Sequence, residues 1–434
     1  MIMISSGKRL PVRIESRHCC KSCGRSLVQI MTDKDKVILA LSRNELSYNG
    51  AIRTNSIRMI PSNLFEDLSP YLMLLRRIIR RKLPKPTILL EAKEGSRSPS
   101  PLTFVMIVSP EFDQRIPNAA VMARLGWCHG FQEMGFSYRI VSIFDLAKTL
   151  PTLQRPICWL SEADYRYLTR RNLTILKQYR HFVWINAWFR SEEKFYQEHN
   201  LPNLASLHWV RKRVLSSEPS FVFTISPYQG IEFYEQWEKQ GVKLLSLPLA
   251  WDSLVYPENP PYVPEFEMIR IAFVGGYWKY KAKQLDRYLA PYSNILTVYG
   301  YSRWPYGQYG GLLPISREGS LYRQARVSPV INEPHVEVMG IDQNERVFKV
   351  LGSGGFAVTD AVPGYREWFS DEELLVPKNE KEFHEIIRVA FEDLDFNLRY
   401  RKAGQRAVKE RHLYQHRAAQ VLRTLNLAQV EEMP

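Results

Sequence analysis

The sequence predicts an α/β protein of two Rossmann-like domains facing each other across a cleft, preceded by a basic appendage. Three observations carry this expectation. Strand-like and helix-like patterns alternate from residue 102 onward, a proline-rich break divides that series in two, and the positive charge is concentrated in the first hundred residues. A chain of 434 residues with 45% hydrophobic content buries a sizeable core and exceeds the usual span of one domain. The expected boundaries are an appendage over 1–100, a first domain over 101–255, a hinge over 256–266 and a second domain over 267–427.

The appendage holds 19 Lys+Arg against 8 Asp+Glu, whereas the remaining 334 residues hold 40 against 37. The formal net charge of +14 suits nucleic acid, anionic lipid or a phosphorylated substrate. The near-balanced body and the lack of a reading motif leave a nucleic-acid partner out of the expectation, and such a partner would have to be bound by the appendage alone. Short strand-like runs occur at Lys36 to Leu41, Ser56 to Ile60 and Thr87 to Leu90. Between them, Tyr71 to Leu83 alternates apolar residues and arginines in blocks at helical spacing. Such a helix either packs its apolar side inward or lies on an anionic membrane surface. His18, Cys20 and Cys23 have the spacing of half a tetrahedral zinc site, and the second half is missing. Five cysteines in so long a chain make no disulfide framework. No apolar run reaches the ~18 residues that cross a bilayer, and the first residues lack a secretory pattern. A cytoplasmic protein is expected, with 71–83 offering peripheral contact at the inner membrane surface.

In the first domain, strand-like runs appear at Thr103 to Ser109, Tyr138 to Ile143, Pro156 to Leu160, Phe182 to Asn186, Phe221 to Ile225 and Val242 to Leu247. Helical patterns at Ala119 to Met134 and Glu162 to Gln178 separate some of them, as parallel sheets with crossover helices require. The break Tyr256-Pro-Glu-Asn-Pro-Pro-Tyr-Val-Pro264 sustains neither a helix nor a central strand. A second series follows at Ile269 to Val274, Leu296 to Tyr299, Val327 to Ile331, Phe356 to Thr359 and Glu373 to Val376. Helical patterns close the chain at Asn379 to Phe391 and Asn397 to Thr424.

Candidate chemistry clusters where strands end. Ile271 to Val274 runs into Gly275 and Gly276, then a basic stretch with Lys279, Lys281 and Lys283. Carboxyl ends of parallel strands line ligand crevices, and helix amino termini there favour phosphate. The same residues also read as a glycine turn with a solvated lysine cluster. Tyr299, Gly300 and Arg303 follow the next strand, offering an aromatic face beside a cation, or a roof over the core. The segment Asn344 to Asp360 reads as a short amphipathic helix, a glycine pair and a buried strand. Glu345, Arg346 and Lys349 share one side of that helix, with Val347, Val350 and Leu351 on the other. Gly354 and Gly355 admit a ligand close to the main chain, or simply stop the helix. There is no Gly-x-Gly-x-x-Gly and no Walker lysine, so neither a nicotinamide cofactor nor ATP is indicated.

From about Thr103 to Leu427 the chain resembles GT-B glycosyltransferases, in the CgeB-like branch near the group-4 type. The resemblance is carried by Phe221-Val-Phe-Thr-Ile-Ser226, Leu247-Pro-Leu-Ala-Trp-Asp252, Phe273-Val-Gly-Gly276, Val298-Tyr-Gly300, the segment Asn344 to Asp360, and His412-Leu-Tyr-Gln-His-Arg417. It implies transfer of a sugar from a nucleotide-sugar donor, bound by the second domain, to a glycan, lipid or protein acceptor held by the first. It implies no cofactor and no catalytic metal, and a last helix that returns to the first domain. The candidate donor-binding residues are Gly275, Gly276, Lys279, Tyr299, Gly300, Arg303, Asp342, Glu345, Arg346, Lys349, Gly354 and Gly355, with Lys279, Arg303, Arg346 and Lys349 for the phosphates. Candidates for the catalytic base are Asp113, His129 and His208. Group-4 enzymes carry two glutamates eight positions apart, the second holding the donor ribose. Here Ile341 and Lys349 occupy those places, and a lysine cannot accept from ribose hydroxyls. Either Glu345 or Asp342 takes that role, or the protein binds sugar nucleotides without turning them over.

Overall fold

The computed structural model describes residues 102–114, 118–185, 197–199, 208–226 and 235–427, together with the backbone of four short strands before residue 43. Of those four, Arg25–Met31 and Lys36–Ser42 pair as an antiparallel hairpin. Cys20, Cys23, the strand-like runs at Ser56 and Thr87, and Tyr71 to Leu83 lie outside the described residues.

The first lobe is a six-stranded, wholly parallel sheet. Its strands are β1 (Thr103–Val108), β2 (Ser137–Ser142), β3 (Pro156–Ser161), β4 (His181–Trp184), β5 (Phe221–Thr224) and β6 (Leu244–Ser246), in spatial order 6-5-4-3-1-2. Near-continuous apolar runs such as Thr-Phe-Val-Met-Ile-Val make such strands, because helices and loops cover both faces. Helix α1 (Ala119–Glu133) is capped by Asn118 and buries Val121, Met122, Leu125 and Phe131 against the sheet. The helix expected over Glu162 to Gln178 is broken. A 3-10 turn over Glu162–Tyr167 gives way to α2 (Arg170–Leu176), because the Thr169 side chain caps a new helix start by accepting from Asn172 N–H. Helix α3 (His208–Ser216) precedes β5.

The second lobe repeats the plan with β7 (Ile271–Val274), β8 (Leu296–Tyr299), β9 (Gln308–Tyr309), β10 (Ser328–Val330) and β11 (Ala357–Thr359). Parallel pairing runs β9-β8-β7, and β10 pairs with β11. A parallel bridge from Ile271 to Val327 joins the two groups, with Ala272 N–H donating to Val327 O at 3.0 Å. Around the sheet lie α4 (Ala282–Leu289), α5 (Ile315–Gln324), α6 (Pro334–Met339), α7 (Glu345–Gly352) and α8 (Glu380–Glu392).

Two helices close the chain, α9 (Leu394–Arg411) and α10 (Tyr414–Thr424), where the sequence pattern reads as one. The interruption has a distant cause. Trp251, from the crossover segment, donates its N–H to His412 O at 2.8 Å and bridges to Leu413. Arg417 reinforces the joint by donating to Pro248 O at 3.0 Å and to His412 Nδ1 at 2.9 Å. An arginine only donates, so that imidazole nitrogen is the acceptor, and the other carries the proton given to Trp368 O. Burial and the adjacent Arg417 push the His412 pKa down to about 3, which keeps the ring neutral. Beyond the joint, α10 packs into the first lobe's core through Tyr414, Ala418, Val421 and Leu422. It approaches α1 at Gly126 and Gly130, where a side chain would run into Tyr414.

Candidate functional site

Each sheet has one place where strand order reverses, and the crevice outside the carboxyl ends there is the usual ligand site of open α/β folds. In the first lobe the reversal falls between β1 and β3. Asp164, fully buried, accepts from Ser109 N–H at 3.1 Å and Ser161 N–H at 3.0 Å, and pairs with Arg124 at 3.2 Å. These bonds lock the two strand ends together. Asp113 follows in the same loop, half-buried. In the second lobe the reversal falls between β7 and β10, at Val274-Gly275 and Val330-Ile331-Asn332.

The second crevice is filled by ionic side chains. Arg346, on the first turn of α7, donates to Val274 O through Nε (3.2 Å) and Nη2 (2.7 Å), and stacks 4.1 Å from the Phe273 ring centroid. Its third nitrogen, Nη1, is buried with no partner. Leaving a charged donor so is unfavourable by ~1–3 kcal/mol or more, and a native fold keeps such a group for a reason. Beside it, Lys281 is buried and lies 3.1 Å from Glu333. Burial pulls the lysine's pKa down, against the pull of Glu333. Burial works to raise the Glu333 pKa, but Lys281, His335 and Arg346 together hold it below its ordinary value. Asp360, also buried, has both oxygens taken by Asn332, at 2.8 and 2.5 Å, and burial raises it to about 6.

Lys349 sits in a different environment. Its ammonium is 3.4 Å from Glu345 and 4.0 Å from Glu318, and 5.4 Å from the Tyr256 ring centroid. Tyr256 and Tyr322 each donate a hydroxyl to Glu318 at 2.7 Å. Two carboxylates thus face one ammonium in a buried cluster. Burial chiefly, with the nearby charges of Glu318 and Asp252, raises Glu345 to about 7 against the pull of Lys349. The Lys349 pKa is held above its ordinary value, since the attraction of Glu318 and Glu345 outweighs burial.

The remaining sequence-predicted residues fall into three groups. Around the Arg346 crevice, Gly275 O accepts from Trp304 Nε1 at 3.2 Å, and Gly276 has open space above it. Gly300, at φ 158°, lets the β8 loop close on Gly275, whose oxygen would be 2.6 Å from any Cβ there. Lys279 and Arg303 are exposed, and the Tyr299 ring packs on Gly310 and edge-on to Phe266. At the seam between lobes, Ser226 Oγ donates to Asp342 at 3.3 Å and Gln343 Nε2 to Ile225 O at 2.8 Å, so the end of β5 meets the loop before α7. Asp342 holds φ at 126°, a conformation that is strained for a non-glycine residue. Apart from these, Gly354 and Gly355 precede β11 at its amino end, against Gln405 and the Tyr322 carbonyl. His129 lies late in α1, donating through Nδ1 to Asp252 at 2.7 Å and facing Tyr138 at the amino end of β2. His208 begins α3, and its side chain lies outside the described residues. Sequence patterns did not point to Glu318, Glu333, Asn332 or Asp360. The one usable signal was the position of Asn332-Glu333 directly after a strand. Among the described residues no group of three or more His, Cys, Asp or Glu is placed to hold a metal, and no helix is long and apolar enough to cross a membrane.

Residues 280–423 match a family described as glycosyl transferase-like. No curated protein matches the sequence. Among solved structures, sucrose-phosphate synthase from Thermosynechococcus elongatus is similar with a TM-score of 0.53 at 11% identity, over 75% of this chain and 98% of that one. The Anabaena protein HepE in complex with UDP-glucose gives 0.49 at 12% identity, over 75% and 100%. T4 phage β-glucosyltransferase in complex with its UDP-glucose substrate gives 0.46 at 8%, over 75% and 99%. At such identities the likeness is one of fold. The chain has the GT-B fold, two α/β lobes with a cleft between them, and the glycosyl transferase-like match covers most of its second lobe and α10.

Proposed function

We propose that this protein is a glycosyltransferase of the CgeB-like kind, a hexosyl- or related transferase. It moves a sugar from a nucleoside-diphosphate donor to a hydroxyl of a glycan, lipid-linked or protein acceptor, without a catalytic metal. The observation that carries the reading is the unpartnered Arg346 Nη1 at the second lobe's switch point, beside the Lys281–Glu333 pair. In the reaction the acceptor oxygen bonds to the sugar's anomeric carbon, the bond from that carbon to the phosphate oxygen breaks, and the diphosphate leaves with the electron pair. Pre-aimed cations and backbone N–H groups stabilise that charge as it forms. Arg346 and Lys281 supply the cations, and Gly275 and Gly276 bring bare main chain beside them. Asp113, at the carboxyl end of β1, takes the proton from the acceptor hydroxyl. The donor and acceptor sites meet at the seam where Ser226 touches Asp342. The protein works in the cytoplasm, with residues 71–83 touching the inner membrane surface.

A melting-temperature panel with UDP, GDP, dTDP and CMP sugars tests the reading, since a ligand at about 100 times its Kd stabilises by ~2.7 kcal/mol. A shift with a UDP, GDP or dTDP sugar supports it, and no shift, or a shift with the CMP sugar alone, which has no diphosphate to release, contradicts it. With the bound donor in hand, Asp113→Asn should lower turnover ~10²- to 10⁴-fold and leave donor affinity unchanged. A second reading, a sugar-nucleotide-binding protein without turnover, is favoured by one observation. Lys349 stands where the group-4 pattern has a ribose-binding glutamate, and its charge is absorbed by Glu318 and Glu345. Donor binding with neither transfer nor hydrolysis would select it.

A further inference from the structure

Arg346 is anchored at both ends of its side chain. Its guanidinium is bonded to Val274 O on β7, while its backbone belongs to the first turn of α7. That turn is fixed by a chain of buried polar groups. Asn344 caps α7 by accepting Arg346 N–H on Oδ1 at 3.0 Å. The N–H of Asn344 is in turn donated to the hydroxyl of Tyr365 at 2.9 Å. Tyr365, fully buried in the turn Pro363–Glu367, donates its own proton to Asn332 Oδ1 at 3.2 Å. Asn332 then gives its backbone and side-chain N–H groups to Asp360, just after β11. One hydroxyl therefore joins the carboxyl ends of β10 and β11 to the helix turn that bears the arginine.

We propose that Tyr365 is a positioning residue that sets Arg346 for its diphosphate ligand. The proposal rests on the reading of Arg346 as a diphosphate-binding group. Without the hydroxyl, the Asn344 N–H and Asn332 Oδ1 each lose a partner, and the cap of α7 is free to shift relative to β7. The guanidinium reaches Val274 O through a side chain rooted in that turn, so a shift of the backbone pulls on its two bonds there and re-aims Nη1. Phenylalanine keeps the ring that fills the core at this position and removes only the hydroxyl.

The test is calorimetric titration with whichever of UDP, GDP and dTDP raises the melting temperature of the wild type most. It uses the wild type, Tyr365→Phe, Arg346→Ala and the double variant. Tyr365→Phe should weaken binding about fivefold, the equivalent of one buried hydrogen bond. The double variant should bind no more weakly than Arg346→Ala alone, because a residue acting through Arg346 has nothing left to position. If Tyr365→Phe does not fold, Asn344→Ala cuts the same chain one step later and carries the same expectation. Wild-type affinity in Tyr365→Phe, or losses that multiply in the double variant, overturns the positioning role while leaving the diphosphate reading intact. A wild type that binds none of the three diphosphates overturns both.

Discussion

Helix α7 carries two cations three residues apart, and the protein treats them in opposite ways. Lys349 is surrounded by Glu345 and Glu318, and the second of these is held by two tyrosine hydroxyls. Arg346 spends two nitrogens on a backbone carbonyl and leaves the third with nothing. Both clusters are ionic and hold their own carboxylates, and the difference is that the Arg346 cluster keeps one buried donor, Nη1, without a hydrogen-bond partner. A closed cluster stabilises the joint between the crossover segment and the second lobe. An open one is built for a ligand's charge.

Three variants would break or sharpen that contrast. The largest effect is expected from Lys349→Met, which leaves two buried carboxylates without their cation and should cost ~3–5 kcal/mol in chemical denaturation. The loss should be greater at pH 8 than at pH 6, because Glu345 titrates at about 7 and is mostly protonated at the lower value. Equal stability to the wild type at pH 8 would mean that the cluster is not closed. Next comes Tyr256→Phe, which removes one hydrogen bond to the Glu318 carboxylate and should cost ~1.5–3 kcal/mol of stability. Its affinity for nucleoside diphosphate should stay at the wild-type value, and a parallel loss of affinity would merge the two clusters. The third variant, Glu345→Gln, is read through its pH dependence. The folded state raises this carboxyl from its ordinary 4.5 to about 7, so the folded protein binds the proton more tightly than the unfolded chain does. Wild-type stability should therefore fall as pH rises from about 4.5 to about 7, relative to Glu345→Gln, and run parallel to it above that range. Melting curves that run parallel throughout would place Glu345 in a solvated setting.

Much of the architecture was legible because buried parallel strands are written as apolar runs. Thr103 to Ser109, Phe221 to Ile225, Ile269 to Val274 and Leu296 to Tyr299 each coincide with an observed strand to within about two residues. What the sequence hid were consequences of distant partners. The break between α9 and α10 is imposed by Trp251, far away in the chain, and no local signal at His412 announces it. Helix α5 was not read at all, since Gly319 weakens its pattern, and so the partner of Lys349 went unseen. The basic run after Gly276 reads as three equivalent lysines. The turn in which Lys281 N–H bonds to Trp278 O decides that the middle one is buried while Lys279 stays exposed. Gly354 and Gly355 show the same limit, because a missing Cβ suits a ligand or a neighbouring chain equally. Here the close neighbours are Gln405 and Tyr322.

The central claim is that the open cation of α7 receives a donor's diphosphate. Titrating UDP, GDP and dTDP into the wild type and into Arg346→Ala tests it most directly. Binding of one of them by the wild type, weakened ~10- to 100-fold in a variant that still unfolds cooperatively, is the predicted result. Equal affinity in the two proteins would contradict it.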